Sequence, residues 1–464
     1  MILKHFFEDS LAQSAYLVGC GATKEAIVID PNIDIQTYID AASAEGLTIT
    51  KVTETHIHAD FVSGSRALAQ ATGATLYVSG EGGPDWQYAF SHESGVQVLR
   101  DGDVIELGRL RFDVVHTPGH TPEHLTFVIT DTPASGEPLG AFTGDFLFVG
   151  DVGRPDLLET AAGHTGTMEA SAKRLFASLQ GLAKYSNHLM VWPGHGSGSA
   201  CGKSMSGVPM SSLGYERISN WALRAKTEQE FVSSVLADQP DPPMYFGEMK
   251  RVNKSGTPAW LATTLSEATA NMLADLVAAR QLAVDIRPDA SRGTLPGAIT
   301  VPMGRSFSSW AGSVVASGEP FFVIAPNRSQ AEATARALAL IGRPDAQGWI
   351  PPAALTAYRE AGGVLERTES VTEVPEGQAI VDVRTSAEWR GGHIDGATHV
   401  PLARLPEKLG GLDPSKPVLV YCQAGVRSLV AASALRRKGF TRVTSLEGGV
   451  SGHRERTGQS ATVA

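Results

Sequence analysis

Apolar residues recur in short, strand-length runs through the first half of the chain. Ser14–Val18, Glu25–Asp30, Thr50–Thr55, Thr75–Val78, Leu110–Val115, Leu125–Ile129 and Leu189–Trp192 read as strands. Phe61–Thr72 repeats its apolar positions at the spacing of a helix. The strands tend to end in His, Asp or Gly, which is how an α/β scaffold hands chemistry to loops along one sheet edge. The pattern changes near residue 240. Gln239-Pro-Asp-Pro-Pro243 and the chain up to Pro258 read as a linker.

Beyond that stretch the chain repeats itself. Val284-Asp-Ile-Arg287, then Gly297-Ala-Ile-Thr-Val-Pro-Met303, returns as Val381-Asp-Val-Arg384 and Gly396-Ala-Thr-His-Val-Pro-Leu402. Each copy then shows a pure strand, Phe321–Ile324 or Val418–Tyr421. A short loop with Arg-Ser (Arg328-Ser329; Arg427-Ser428) leads from it into an Ala-rich helix. This predicts a tandem duplication of one small α/β domain with a parallel sheet, its boundary near Gly362–Gln378. The expected division is a first α/β unit over 1–240, a linker over 241–258, and repeats over 259–365 and 370–455. The tail after Gly452 reads as poorly ordered.

Length agrees, because 464 residues are too many for one core and fit about three domains. The net charge of −10 is spread along the chain without a basic block, which argues against nucleic acid but leaves room for a small anionic substrate. No apolar run approaches the roughly 18 residues of a membrane span. Glu8 and Asp9 interrupt the N-terminal stretch, so it has no signal-peptide core and a cytoplasmic protein is expected. Cys20, Cys201 and Cys422 are the three cysteines, too sparse for a disulfide framework.

Candidate chemistry gathers where strands end. His56 and His58 lie two residues apart in Thr55-His-Ile-His-Ala-Asp60-Phe61 and point the same way, and neutral imidazole is the commonest ligand for borderline metals. His116-Thr-Pro-Gly-His120, Phe142-Thr-Gly-Asp145 and Val191-Trp-Pro-Gly-His195 follow, each just past a strand. Any one histidine alone reads equally as a cap or a satisfied core residue. Four such sites in this order read as ligands gathered at one sheet edge. A second metal would need another histidine directly after Asp60, and Phe61 stands there.

His56-x-His58-x-Asp60, Pro118-Gly-His120, Thr143-Gly-Asp145 and Pro193-Gly-His195 resemble the motif set of the metallo-β-lactamase superfamily, over about the first 235 residues. The resemblance implies an αββα sandwich with the metal at the open edge of two sheets. The set is most similar to the persulfide dioxygenases, which implies one iron(II) per chain held by His56, His120 and Asp145. Two histidines and a carboxylate on one face suit non-haem iron(II) and O2. His58, Asp60 and His195 are then supporting groups that orient the ligands. The resemblance makes Arg154, in Gly153-Arg-Pro-Asp156, a candidate contact for the carboxylate of a thiol carrier, with a structural ion pair as the equal alternative. Cys201, in the loop directly after His195, is a candidate acceptor of sulfane sulfur near the site mouth, its thiolate favoured by Lys203.

The second repeat contains Tyr421-Cys422-Gln-Ala-Gly425-Val-Arg427-Ser428. A cysteine closing a buried strand at the start of a helix-opening loop sits in a cup of backbone N–H groups. Such a cup lowers a thiol pKa and stabilises a persulfide, with Arg427 adding positive charge. With Asp382-x-Arg384, Glu388-Trp389 and Gly392-His-Ile-x-Gly-Ala397, it resembles the rhodanese family over roughly 370–455. Cys422 is then the sulfur carrier, with Gly425 and Arg427 in its loop, and Asp382 and Arg384 fix that loop. The first repeat has Ala325-Pro-Asn-Arg-Ser329 in the corresponding place, without a thiol, and reads as inactive.

The order of parts resembles bacterial multidomain persulfide dioxygenase–sulfurtransferases of sulfide detoxification. That implies oxidation of a persulfide of glutathione or coenzyme A type by O2 to sulfite. Sulfur transfer through Cys422 would then make thiosulfate. A homo-oligomer is expected. The alternatives are a two-metal thioester hydrolase of glyoxalase II type, and a sulfur-relay protein that consumes no oxygen.

Overall fold

The structure is a computed structural model; it describes residues 1–160, 166–258, 260, 264–405, 409 and 411–458. The chain forms two compact units, Met1–Leu261 and Ala262–Ala464.

The first unit has two six-stranded sheets. The first sheet runs in the order β1 (Ile2–Glu8), β2 (Gln13–Gly19), β3 (Glu25–Ile29), β4 (Thr48–Thr53), β5 (Thr75–Ser79), β6 (Val96–Leu99). The second runs from β7 (Val104–Leu107) through β8 (Leu110–His116), β9 (Leu125–Asp131), β10 (Gly140–Gly144) and β11 (Met190–Pro193) to β12 (Ser211–Ser212). Strands β2 and β3 carry apolar side chains on both faces, which is why they read as unbroken hydrophobic runs. Tyr16, Val18, Ile27 and Ile29 face inward, against Phe112, Val114, Phe127, Phe142 and Trp192 of the second sheet.

Their neighbours Ala15, Leu17, Ala26 and Val28 face outward, against Tyr38 and Ala42 of α1 (Gln36–Ala44) and Leu68 of α2 (Ser65–Thr72). The outer face of the second sheet packs Val128, Ala141 and Val191 against helices further along the chain. The helices here are α3 (Leu157–Thr160), α4 (Met168–Gln180), α5 (Leu213–Ser219), α6 (Trp221–Arg224) and α7 (Glu228–Leu236), with Leu175, Leu179, Phe231 and Val235 in the contact. Helix, sheet, sheet and helix thus stack in four layers, the αββα sandwich expected. The helix predicted over Phe61–Thr72 begins at Ser65, because Phe61–Gly64 belong to a turn.

The expected linker over 241–258 is corrected. It holds helix α8 (Phe246–Ser255), with Phe246, Met249 and Asn253 buried against the first unit. Its apolar stripe is short, and its last inward position is an amide, so periodicity alone did not mark it.

The second unit has two all-parallel sheets, as the duplication predicts. The first is ordered β14 (Ile299–Thr300), β13 (Leu282–Asp285), β15 (Phe321–Ile324), β16 (Ala346–Ile350). The second is ordered β17 (Glu369–Val371), β21 (Val443–Leu446), β20 (Val418–Tyr421), β18 (Ala379–Asp382), β19 (Ala397–His399). Helices α9 (Ala270–Ala278), α10 (Phe307–Val314), α11 (Arg328–Leu340) and α12 (Pro352–Glu360) belong to the first repeat. Helices α13 (Ser386–Arg390), α14 (Val426–Arg437) and α15 (Gly449–Thr457) belong to the second. The tail expected to be poorly ordered after Gly452 is helical through Thr457; residues 459–464 lie outside the described residues. Among the described residues no helix is long and apolar enough to cross a membrane.

Candidate metal centre and sulfur-transfer loop

Strand β4 ends at Thr53 and delivers Glu54-Thr55-His56-Ile57-His58 to the sheet edge. Buried Asp30, just past β3, organises this turn. Its carboxylate accepts the Thr55 backbone N–H at 2.6 Å and the Thr55 hydroxyl at 3.0 Å. The single hydroxyl proton is thereby used, so Thr55 Oγ1 accepts from His56 Nδ1, 2.9 Å away, and His56 Nε2 keeps its lone pair. The second imidazole is set the same way. His120 Nδ1 lies 3.0 Å from the carbonyl of Arg154, which only accepts, so Nδ1 carries the proton and Nε2 is free.

Asp145 follows β10, whose parallel pairing with β11 brings His195 to the same edge. The Asp145 N–H donates to His124 Nε2 at 3.1 Å, and its Oδ1 meets His195 Nδ1 at 2.7 Å. Its Oδ2 is buried without a partner, 3.9 Å from His56 Nε2 and 3.5 Å from His120 Nε2. The backbone around it admits no bulk. Gly144 has φ +49°, and a Cβ at Gly153 would stand 1.8 Å from the Asp145 carbonyl oxygen.

His56, His120 and Asp145 thus offer ligand atoms all within 4.8 Å of one another. Burial holds both imidazoles below their ordinary pKa, so they are neutral donors. Burial opposes ionisation of Asp145, yet His195 beside it keeps the carboxyl well below its usual range. A buried carboxylate oxygen with no hydrogen-bond donor, facing two free imidazole lone pairs, is the donor set a borderline cation takes.

The other site residues bond one another, with Asp60 Oδ1 and His58 Nδ1 left buried without a partner. His195 Nε2 meets Asp60 Oδ2 at 2.7 Å; against the cost of burial, Asp145 and Asp60 hold His195 well above the ordinary imidazole value. His58 Nε2 lies 3.2 Å from Asp30, and despite burial the surrounding carboxylates raise it to about 9. Phe61 is fully buried, its ring centroid 4.3 Å from that of His58. Cys201 joins Asp60 and His195 in a second group whose ligand atoms lie within 4.8 Å.

Two expectations for this unit are corrected. Arg154 is 1% exposed and its guanidinium is committed to Asp156 in two bonds of 2.9 and 2.6 Å and to the Ala200 carbonyl. It is the structural ion pair, and what it offers the site is the carbonyl that orients His120. Cys201 is 2% exposed, not at an open mouth; burial and the charges of Asp145 and Asp60 push its thiol pKa well up. Lys203 does not favour its thiolate, because its ammonium donates to the carbonyls of Ser234 and Ala237. Asp30 and Asn253 were not singled out from the sequence; His124, read there as a supporting or surface residue, is buried and accepts the Asp145 N–H. Asp30 closes a strand just as the ligands do, which was the available signal.

In the second unit Cys422 directly follows β20, and the loop turns through Gly425 at φ +95° into α14. The Gly425 N–H donates to Cys422 Sγ at 3.1 Å, and Ser428 Oγ lies 3.8 Å from the sulfur. Asp382 and Arg384 form a buried ion pair, and Arg384 Nη1 reaches Gln423 in the loop at 3.3 Å. The sequence reading of Arg427 as a positive charge for the loop is corrected in one respect: the guanidinium is paired rather than free. Glu388 holds it in two bonds of 2.8 and 2.6 Å, and Arg427 in turn keeps the Glu388 carboxyl down at about 2, against the effect of burial.

The sequence pattern of the metallo-beta-lactamase superfamily matches residues 9–195, and that of the rhodanese-like domain matches residues 367–455. A crystal structure described as a metallo-beta-lactamase from Staphylococcus aureus subsp. aureus COL is 37% identical to this chain with a TM-score of 0.68; the match covers 76% of this chain and 99% of that one. The protein named persulfide dioxygenase ETHE1, mitochondrial, of Bos taurus is 29% identical over 236 residues, 50% of this chain and 79% of its own length. Its Homo sapiens counterpart is 29% identical over 237 residues, again 50% of this chain and 79% of its own.

Proposed function

Because the chain belongs to the metallo-beta-lactamase superfamily and carries a C-terminal rhodanese-like domain, we propose that it is a cytoplasmic persulfide dioxygenase fused to a sulfurtransferase. The observation that carries this reading is the split between the two groups of potential ligands. His56, His120 and Asp145 keep free donor atoms facing one another, whereas both ring nitrogens of His195 are taken up by Asp145 and Asp60, so Asp60 Oδ1 faces no free imidazole of His195, and Phe61 packs on His58. One ion per chain suits that arrangement, and the likeness to persulfide dioxygenases supports iron(II) as that ion.

Iron(II) bound there supplies Lewis acidity and the electron transfers that O2 requires. The protein's part is to hold His56 and His120 neutral with Nε2 forward and Asp145 ionised. One positive charge then remains for the anionic sulfur of the substrate. Burial of all three excludes bulk water. The overall reaction is persulfide plus O2 plus water giving thiol, sulfite and two protons. At the second site Cys422 takes the terminal sulfur of another persulfide, releasing thiol, and the Gly425 N–H faces the sulfur that carries it. Sulfite then attacks the outer sulfur, the S–S bond breaks toward Cys422, and thiosulfate leaves. A glutathione or coenzyme A persulfide is the proposed substrate, and the first repeat, lacking a thiol, is inactive.

The group Asp60, His195 and Cys201 favours a second reading, a two-metal thioester hydrolase. Metal analysis with oxygen-electrode recording separates the two. One iron per chain and O2 uptake on adding glutathione persulfide are expected. Two zinc ions with thioester cleavage, or no uptake by iron-loaded protein, would sink the dioxygenase.

A further inference from the structure

The turn from His58 to Ser63 is irregular and buried, so its backbone polar groups need partners from elsewhere. Three of them end on one side chain. Asn253 Nδ2 donates to the His58 carbonyl at 2.8 Å and to the Phe61 carbonyl at 2.7 Å, and Asn253 Oδ1 accepts the Ser63 N–H at 2.8 Å. Asn253 is 3% exposed and lies on α8, in the stretch whose prolines and polar residues read as linker. The residue after Asn253 ties the helix to the 85–89 stretch as well. The Lys254 carbonyl accepts the Ala89 N–H, Lys254 Nζ donates to the Asp85 carbonyl at 2.8 Å, and Asn253 sits between them and the turn.

The geometry points to Asn253 as a positioning residue of the metal centre. The turn it grips starts two residues after His56 and carries Asp60, whose carboxylate holds His195. His195 in turn holds Asp145 Oδ1, which leaves Oδ2 facing His56 and His120. A shift of the 58–63 turn therefore reaches two of the three ligands by contacts already described, one along the chain and one through Asp60 and His195. An amide is what the place requires. Two carbonyls and one N–H converge on it, and neither a carboxylate nor a hydrocarbon of the same shape satisfies all three. The inference rests on the proposed metal ligands, and it concerns what holds them rather than the reaction.

The test uses the full chain, stripped of metal and titrated with Co(II) alone, with the visible absorption of the bound ion as the readout. Asn253→Asp keeps shape and the bond from Ser63 but loses both donated bonds. It is expected to bind Co(II) about 10-fold more weakly, the lower end of what partners behind metal ligands contribute, with an altered spectrum. Asn253→Ser, small enough to fold if the aspartate does not, is expected to weaken binding in the same direction. Arg251→Gln, exposed on the same helix and off the turn, should bind as wild type does. Hydrogen exchange of the unsubstituted protein provides the measurement that needs no variant: Co(II) should slow exchange in 58–63 and in α8 together. Folded Asn253 variants that bind Co(II) as tightly as wild type, or protection that stops at the turn, would overturn the inference. A wild-type chain that takes up no ion would instead overturn the metal reading beneath it.

Discussion

Asp285 and Asp382 close the corresponding strands of the two α/β repeats and hold Arg287 and Arg384 in almost the same way. Each arginine donates Nε and Nη2 to its aspartate two residues back, and each adds a bond to a glycine carbonyl, Gly293 or Gly392. The repeats part at the next strand. After β15 the chain passes through Ala325 and Pro326 to Asn327, whose side chain caps α11 by accepting the Gln330 N–H at 3.0 Å. After β20 it passes through Cys422 to Gly425, and there the N–H groups opening α14 have no side-chain cap. In the first repeat the helix start is satisfied from within. In the second one such N–H is turned on a sulfur instead. The shared ion pair is therefore scaffold, and what separates the copies under the proposed function is the loop after it, with the Cys422 thiol in one and the capping Asn327 amide in the other.

Four substitutions break or sharpen that contrast. Cys422→Ser has the largest expected effect: sulfur transfer falls to background, and sulfite replaces thiosulfate as the product of persulfide oxidation while O2 uptake persists. Unchanged thiosulfate yield would end the two-stage scheme. Next come Asp285→Asn and Asp382→Asn, each leaving a buried guanidinium short of its partner at a cost of about 3 kcal/mol to its repeat, read by denaturant unfolding. Only Asp382→Asn should also slow sulfur transfer, because only Arg384 reaches a catalytic loop through Gln423. Equal loss of transfer in both variants would make the pair merely a fold requirement. The smallest effect belongs to Glu388→Gln. The Glu388 carboxyl, ordinarily near 4.5, is held at about 2, so its contribution is present above 4.5 and is lost as pH falls toward 2. The variant should therefore lose less stability than wild type across that interval, followed by near-ultraviolet circular dichroism.

The sequence was most informative where one residue type does one local job. Alternating or unbroken apolar runs marked β2, β3, β8 and β9, because burial on one or both sheet faces writes itself into composition. Histidines and aspartates past strand ends marked the metal edge for the same reason. What it hid depends on partners distant along the chain. The Arg427 charge is spoken for by Glu388, 39 residues earlier, and no local pattern announces that pairing. Arg154 was a different case: Asp156 stands two residues on, and the ion pair was readable as readily as the substrate contact. Helix α8 was lost because its inward positions are Phe246, Met249 and an asparagine, and a stripe ending in an amide among prolines resembles connecting chain.

That asparagine also sets an order of events. The bond from Asn253 to His58 spans 195 residues of sequence. Chains emerge from the ribosome N-terminal end first, and domains fold as units once enough of each has appeared. All three ligands are synthesised more than a hundred residues before Asn253, but the turn beside His56 stays unclosed until α8 has been made and has docked. Under the proposed metal reading, secure loading is thus timed to the completion of the first unit. A fragment cut at residue 240, where composition invites the cut, would carry every ligand and still lack the clasp.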